Sequence, residues 1–248
     1  MKSSETISIV VPVYQQEKTI KKDLENISSA VTLLHMPYEL VVIVDGMTDR
    51  THKQIKNIRD THIKVTSFKK NYGKGHAVRY GMLKAKGDII GFIDAGMDLD
   101  PKELATMLAI MRKKNADIVV GSKLHPDSHV NYPFSRTILS WGYRTITHIL
   151  FGFSVRDTQV GIKLFKRKIA RDVFPRILVK RFAFDVEVLA VAYRLGYHRI
   201  YEAPIHLNFQ GVSSITSKNF WSIIYSMLWD TAAVFYRLKI LKYYDRKK

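Results

Sequence analysis

Residues 88–101 read DIIGFIDAGMDLDP, an apolar run that stops at an acid and is followed by two more acids and a proline. The run Ile89–Ile93 has the length and composition of a buried strand, and the proline is typical of the first turn of a helix. Asp94, Asp98 and Asp100 therefore fall in one loop between a strand and a helix. Turn and cap chemistry explains such acids, Asp100 above all, and a cation site explains them equally.

The chain around this loop alternates between strand and helix patterns. Short β-branched runs predict strands at Ile7–Val13, Tyr38–Val44, Ile63–Ser67, Asp88–Ile93 and Asp117–Val120. Helical spacing fills the segments between them, as in Glu17–Leu34 and Pro101–Lys114. This alternation predicts an α/β fold with a Rossmann-like, mostly parallel sheet flanked by helices.

Sheets of this kind bind ligands at the carboxyl ends of their strands. The predicted ends carry polar residues or glycine, at Pro12–Glu17, Asp45–Asp49, Asn71–Gly75 and Asp94–Asp100. Two glycines flank Lys74 directly before a helix, which favours binding of an anion. Ordinary turns, caps and a solvated lysine are the alternative interpretation of the same residues.

Two segments of the second half also carry polar residues within apolar runs. RDTQVGIKLF (156–165) contains Asp157 and Gln159, and FAFDVEVL (182–189) contains Asp185 and Glu187. Acids inside an apolar helix need partners or a function. Asp185 and Glu187 are expected on different helix faces, with one of them solvated. Residues 199–207 are predicted to form one strand.

The composition limits the partners. The 248 residues suffice for one large α/β domain with or without an appendage, and 46% of them are hydrophobic. A net charge of +18 favours an anionic partner, either nucleic acid, a membrane surface or a phosphorylated substrate. Carboxylates at the strand ends repel phosphates unless a cation intervenes, so we expect no nucleic acid. The absence of cysteine excludes disulfides and thiolate metal sites.

The C-terminal region combines aromatic and basic residues. Apolar residues recur with helical spacing over 220–241, and the tail KYYDRKK follows. This pattern predicts an amphipathic helix that lies in the interface of an anionic membrane, as residues 131–153 also suggest. Packing against the domain's own core is the alternative. We expect no membrane span, since a span needs roughly 20 mostly apolar residues.

Taken together, seven segments resemble the family 2 glycosyltransferases with a GT-A fold, of the dolichyl-phosphate mannose synthase type. The segments are VPVYQQE (11–17), VDGMTD (44–49), NYGKGHAVRYG (71–81), FIDAGMDLDP (92–101), GSK (121–123), DTQVGIKLF (157–165) and FAFDVEVL (182–189). The resemblance covers roughly residues 6–215. It implies a glycosyltransferase domain over 1–215, followed by the amphipathic basic helix and tail over 216–248.

The resemblance also implies residue roles. The nucleotide sugar is bound by Pro12, Tyr14, Glu17, Asp45, Lys74, Asp94 and Gln159. Mg²⁺ or Mn²⁺ is held by Asp94 and Asp98. The acceptor phosphate meets Lys123 and Arg136. The catalytic candidates are Asp94, Asp157 and Asp185.

The implied activity is metal-assisted transfer, with inversion, of a sugar from GDP-mannose or a UDP-hexose to polyprenyl (dolichyl) phosphate or another lipid-linked acceptor. The implied location is cytoplasmic and peripheral to a membrane. Two alternatives stay open: a protein that binds sugar nucleotides without turnover, and a transferase to a saccharide hydroxyl. The second needs a general base, for which Asp157 or Asp185 is the candidate.

The sequence departs from the family pattern at four positions. Gly96 stands where a second metal-binding acid is usual, and Val44 stands where an acid precedes Asp45. Asn208 and Ser214 replace an arginine and a lysine. We therefore expect the metal affinity, the acceptor contacts or both to differ from those of the family.

Overall fold

The structure, a computed structural model, describes residues 5–96, 98–131, 134–208 and 220–245, with the backbone alone for 134–140 and 220. The strands are β1 Ile7–Val13, β2 Tyr38–Asp45, β3 Ile63–Phe68, β4 Ile89–Ile93, β5 Ile118–Gly121, β6 His129–Asn131, β7 Ile162–Lys166, β8 Ile200–Ala203 and β9 His206–Asn208. The α-helices are α1 Ile20–Thr32, α2 Thr51–Lys56, α3 Lys74–Lys84, α4 Glu103–Lys113, α5 Phe134–Phe151, α6 Arg167–Val173, α7 Phe184–Arg194 and α8 Phe220–Phe235.

Seven of these strands form one sheet, in the order β3-β2-β1-β4-β7-β5-β8. β7 runs antiparallel to both of its neighbours, β4 and β5, and the other pairs are parallel. The predicted α/β fold with a mostly parallel sheet is therefore confirmed. The reversed strand β7 lies beside β4, which brings the segment 157–165 next to the acidic loop.

A hydrophobic core lies on each face of this sheet. Successive residues of β1 alternate between the two, as strand geometry requires. Val10 belongs to the core that contains residues of α3, α6 and α7, and Val11 belongs to the core that contains residues of α1 and α4. The runs of β1, β2 and β4 are buried on both faces, which is typical of parallel strands covered by helices. The strand ends are thus held by a rigid, two-sided scaffold.

The strand predicted over residues 199–207 is interrupted. β8 ends at Ala203 and β9 begins at His206, because Pro204 between them cannot donate to a strand ladder. β9 pairs with β6 in a separate two-stranded sheet, and Leu207 forms a bridge with Leu99. The interruption places β9 against the acidic loop.

The C-terminal segment is helical, with α8 followed by a π-helical turn at Tyr236–Ile240. Val234, Leu238 and Tyr244 are buried in the same core as α7, so this side of the segment packs on the domain. The other side exposes apolar residues, so the predicted division into an apolar and a polar face is not confirmed. Among the described helices, none has the length and apolar character needed to span a membrane. The predicted boundary at residue 215, and Ser214, lie outside the described residues.

Candidate active site

Asp45 lies at the end of β2 and organises the loop before α3. Its buried carboxylate accepts hydrogen bonds from the backbone N–H groups of Tyr72 (2.8 Å) and Gly73 (2.7 Å). The loop that carries Lys74 is thereby tied to the second strand. Each carboxylate oxygen of Asp45 has a further lone pair that could accept a hydrogen bond from a ligand. The predicted contact of Asp45 with the base or ribose stays a prediction.

Pro12, Tyr14 and Glu17 form the rim beside Asp45. Pro12 is half-buried at the end of β1, and the Tyr14 ring is 37% exposed. Glu17 Oε2 accepts a hydrogen bond from the backbone N–H of Arg50 at 3.0 Å, which joins the loops after β1 and β2. The structure therefore brings the predicted nucleotide-binding residues of the first two strands to one edge.

Asp94 directly follows β4 and is paired with Lys74. Lys74 Nζ lies 2.6 Å from Asp94 Oδ2, while Asp94 Oδ1 is buried without a hydrogen-bond partner. A Cβ on Gly161 would lie 1.8 Å from Asp94 Oδ2, so only glycine leaves room for this carboxylate. Burial disfavours the charged form of Lys74, but the charges of Asp94 and Asp185 outweigh it and raise the pKa of Lys74.

Asp185 lies behind this pair, in the first turn of α7. Its Oδ1 is 2.5 Å from Nζ of Lys163, which is fully buried in β7 and also donates to the carbonyl of Val160. Burial raises the pKa of Asp185 and lowers the pKa of Lys163. Asp185 also interacts electrostatically with Lys74 and Asp94. Two acids and two lysines thus form one charge network.

The acidic loop after β4 borders a cavity of about 280 Å³. Its lining includes four acids, Asp23, Asp94, Asp98 and Asp100. β9 fixes the loop, since the Asn208 N–H donates to the Asp98 carbonyl at 2.9 Å.

Asp100 and Gly96 have local roles in the same loop. Asp100 Oδ1 accepts a hydrogen bond from the backbone N–H of Lys102 at 3.0 Å, in the turn before α4. The N-cap of α4 is Lys102, without a side-chain cap hydrogen bond, so the predicted capping role of Asp100 is not confirmed. Gly96 has a φ of +117°, a conformation that an L-residue rarely adopts. The acid that the family pattern has at this position would therefore strain the loop.

Asp157, Gln159 and Lys123 lie together in a second, smaller depression, which Arg144 also lines. Asp157 Oδ2 accepts from the backbone N–H of Lys123 at 3.0 Å, and Lys123 Nζ lies 3.2 Å from the same oxygen. The negative charge of Asp157 is therefore paired with the positive charge of Lys123. Arg136 belongs to α5, but its side chain lies outside the described part, so its predicted phosphate contact stays a prediction.

One expectation about the buried acids is wrong. Glu187 and Asp185 are both buried, and neither is solvated. Glu187 accepts from the backbone N–H groups of Leu178 (2.9 Å) and Val179 (2.7 Å), and from the Tyr244 hydroxyl at 2.5 Å. Its partners come from a loop and the C-terminal segment, so it serves the packing of the fold.

Sequence reasoning assigned no role to two residues of the site, Lys163 and Asp23. A lysine inside the apolar run GIKLF was a usable signal for Lys163, since lysine is almost never fully buried unless paired. No local signal marked Asp23, whose contact with the Gly96 N–H spans 73 positions of sequence.

The site fits a divalent cation by its charge and its vacant acceptors. In the described part of the chain, no three His, Asp or Glu side chains are gathered closely enough to hold a metal ion among themselves. Mg²⁺ does not require such a set, because it is usually bound by one or two carboxylates, waters and substrate phosphates. Asp94, with its unpartnered buried Oδ1, is suited to this kind of site.

Comparison with solved structures identifies the fold as GT-A. The glucosyl-3-phosphoglycerate synthase of Mycobacterium tuberculosis, solved with Mn²⁺, UDP-glucose and phosphoglyceric acid, superimposes with a TM-score of 0.68 at 20% identity, over 94% of this chain and 79% of that one. The same enzyme with Mg²⁺ and UDP gives a TM-score of 0.67 at 19% identity, over 94% and 78% of the two chains. At this identity the likeness establishes the fold alone.

The sequence comparisons establish the family. The model of glycosyl transferase family 2 matches residues 8–174, more than half of the chain, and the chain belongs to this family. Proteins named dolichyl-phosphate beta-glucosyltransferase are similar: that of Drosophila melanogaster is 33% identical over 76% of this chain, and that of Dictyostelium discoideum 31% over 77%. The chain spans 63% of the length of each of these two relatives.

Proposed function

We propose that this chain transfers glucose from UDP-glucose to a polyprenyl phosphate at a membrane surface, assisted by Mg²⁺ or Mn²⁺. The observation that carries the proposal is the state of Asp94 at the end of β4. One of its oxygens is held by Lys74, and the other is buried and vacant beside the strand ends where nucleotides bind α/β sheets. A nucleoside diphosphate with its cation would satisfy both the oxygen and the lysine.

The choice of donor rests on the comparisons. The relatives are named as glucosyltransferases to dolichyl phosphate, and the superimposed enzyme was solved with UDP-glucose. These names favour UDP-glucose over GDP-mannose, which the sequence had left equal. They also favour a polyprenyl phosphate over a saccharide hydroxyl as the acceptor.

The transfer itself requires contact with the diphosphate, attack by the acceptor phosphate and departure of UDP. Lys74 Nζ, 2.6 Å from Asp94 Oδ2, would contact the diphosphate of the donor, and Asp94 would hold the cation. Bound cation supplies Lewis-acid charge that stabilises the leaving diphosphate. The acceptor's phosphate oxygen forms the new bond to the anomeric carbon, and UDP departs with the electron pair of the old bond. A phosphate oxygen is already ionised at neutral pH, so the mechanism needs no strong general base.

The acceptor phosphate has a candidate site in the depression lined by Lys123, Arg144 and Gln159. Lys123 is paired with Asp157, and Arg144 supplies a second cation from helix α5. Tyr143 joins α5 to the C-terminal helix, since its hydroxyl lies 2.8 Å from Thr231 Oγ1. The depression is thus adjacent to the two helices that carry exposed aromatic residues.

Those two helices form the proposed membrane-contacting surface. Large apolar side chains are exposed on both, including Trp141 (60%), Ile149 (75%), Tyr225 (68%) and Trp229 (66%). Exposed aromatic clusters of this kind are typical of interaction surfaces, and Trp and Tyr favour the membrane interface. The net charge of +18 would add attraction to anionic headgroups.

A transfer assay tests the activity. Full-length protein is incubated with radiolabelled UDP-glucose or GDP-mannose and a polyprenyl phosphate, with Mn²⁺ or with EDTA, and the lipid product is counted. We expect glucolipid with Mn²⁺ and none with EDTA. Asp94→Asn should reduce the rate on the order of 10²-fold or more, because it weakens the hold on the cation that stabilises the leaving diphosphate. Full activity in Asp94→Asn contradicts the site assignment.

The same assay separates the alternatives. Tight binding of UDP-glucose without product from any acceptor supports a binding protein without turnover. Product on a saccharide hydroxyl, but none on polyprenyl phosphate, supports the other alternative.

Vesicle flotation tests the membrane surface. We expect binding to anionic phospholipid vesicles and weaker binding at high salt. Trp229→Ser should weaken vesicle binding about ten-fold, since it removes an aromatic ring from the interface. The matched control is Leu33→Ser. Leu33 directly follows α1, is 65% exposed and lies outside the proposed membrane-contacting surface. Equal binding of both variants overturns this assignment.

A further inference from the structure

Asp23 is a buried acid whose second oxygen is unused. It lies on α1 and is 3% exposed. Its Oδ2 accepts a hydrogen bond from the backbone N–H of Gly96 (3.1 Å), and the Thr19 hydroxyl oxygen lies 3.1 Å from the same atom. Its Oδ1 is buried without a hydrogen-bond partner. An unsatisfied buried carboxylate oxygen costs free energy, and an ion or a water that belongs to the site is one explanation for such a group.

The position of Asp23 connects it to the acidic loop. Asp23 lines the same cavity as Asp94 and Asp98, and among the described residues Asp94 Oδ1 is likewise buried without a hydrogen-bond partner. The Gly96 N–H that donates to Asp23 Oδ2 is two residues along the chain from both Asp94 and Asp98. A divalent cation near these carboxylates would offset their negative charges.

Gly96 explains why an acid from another element is needed. Its φ of +117° makes a carboxylate-bearing residue unfavourable at this position. The hydrogen bond from the Gly96 N–H instead brings the Asp23 carboxylate to the loop. The chain therefore lacks an acid at position 96 and has a buried one directly beside it.

We propose that Asp23 is a further acid of the cation site, supplying from α1 the charge and the vacant oxygen that this chain lacks at Gly96. Asp94 and Asp98 would hold the cation, and Asp23 Oδ1 would accept a hydrogen bond from a water molecule bound to it. A water-mediated role agrees with the described acids not being gathered into a closed ligand set. This inference rests on the proposed metal-assisted function.

Direct Mn²⁺ binding tests the inference without any turnover. Mn²⁺ is titrated into full-length protein saturated with UDP, by calorimetry and by electron paramagnetic resonance of the free ion. Asp23→Asn keeps an oxygen for Gly96 and Thr19 but removes the charge. It should weaken Mn²⁺ binding about ten-fold, the loss typical of a residue that supports a metal's ligands.

The matched control is Asp100→Asn. Asp100 lines the same cavity, but its Oδ1 is already used by the Lys102 N–H. The Mn²⁺ affinity of Asp100→Asn should stay within about two-fold of the wild type, because the Asp100 carboxylate stabilises the turn before α4 through this hydrogen bond. Without metal, Asp23→Asn should melt at or above the wild-type temperature, because it removes a buried, unsatisfied charge. Its stabilisation by saturating Mn²⁺ should be smaller.

A second variant decides the matter if Asp23→Asn does not fold. Asn26 is an exposed residue of α1 that lines the same cavity, and Asn26→Lys brings a positive charge to it. This variant should also weaken Mn²⁺ binding. The inference is overturned if folded Asp23→Asn binds Mn²⁺ as the wild type does while Asp94→Asn loses the metal. If Asp23→Asn does not fold, unchanged Mn²⁺ affinity in Asn26→Lys overturns the inference instead. A wild type that binds no Mn²⁺ overturns the metal-assisted function as well.

Discussion

Asp185 and Glu187 stand two residues apart on α7, and both are buried, yet they serve different regions of the molecule. The partner of Asp185 is the ammonium of Lys163, within a network that includes Lys74 and Asp94. The partners of Glu187 are two backbone N–H groups and the Tyr244 hydroxyl. Fixed neutral donors make Glu187 an anchor for the C-terminal segment. Asp185 has charged neighbours, so its ion pairs can change when an anionic ligand and a cation bind beside Lys74 and Asp94.

The largest expected effect follows from removing the cation beside Asp185. Lys163→Met leaves a buried carboxylate without its counter-charge and should lower the free energy of unfolding by about 3–5 kcal/mol. Adding Asp185→Asn should restore part of the stability but not the transfer activity. Urea denaturation and the transfer assay measure the two quantities on the same proteins.

The matched control removes Arg237, a cation close to Glu187. Arg237 Nη1 lies 3.8 Å from Glu187 Oε1, whose neutral donors remain after Arg237→Met. That variant should lose less free energy of unfolding than Lys163→Met, because the three neutral donors of Glu187 stay in place. Equal losses in Lys163→Met and Arg237→Met would remove the distinction between the two acids.

The fold was largely predictable from the sequence because its signals are local. The β-branched runs gave the strands of the first half to within a residue or two, and the polar residues at their ends marked the edge where Asp94 and Lys74 meet. The direction of β7 was not predictable, since a run such as Ile162–Lys166 indicates a strand whichever way it runs.

The parts of the site that escaped prediction depend on distant partners. Lys163 meets Asp185 across 22 positions, and Asp23 meets Gly96 across 73. The expectation that one of Asp185 and Glu187 is solvated was wrong, since the donors of Glu187 include Tyr244, 57 positions away. Spacing within one helix cannot reveal such partners, so an acid in an apolar helix can be recognised as unusual but not assigned to a site or an anchor.

A smaller effect is expected at the anchor itself. Tyr244→Phe removes the hydroxyl that donates to Glu187 and leaves a buried acceptor unsatisfied, which should cost about 1–3 kcal/mol of unfolding free energy. Transfer by the folded variant should be unchanged, since Glu187 lies outside the charge network. Urea denaturation measures the loss, and the control Tyr225→Phe, on an exposed ring, should stay within about 0.5 kcal/mol of the wild type. A selective loss of transfer in Tyr244→Phe would place Glu187 in the site after all.

The smallest expected effect is a pH dependence of stability at Glu187. Burial raises the pKa of Glu187 above its usual 4.5, although its donors and Arg237 oppose this change. The folded state therefore holds this proton more tightly than the unfolded state. As pH rises above about 4.5, the unfolded chain ionises first, and the wild type loses stability until the pH passes the folded-state pKa.

The variant Glu187→Gln, which does not titrate at this position, isolates that dependence. Urea denaturation between about pH 4 and pH 8 gives the stability of the wild type relative to this variant, which should fall as pH rises. A rise with pH would mean that the donors outweigh burial and that Glu187 is held as a carboxylate. Glu187 would then be ionised, as Asp185 is when it pairs with Lys163. The two acids would differ only in the groups that they contact.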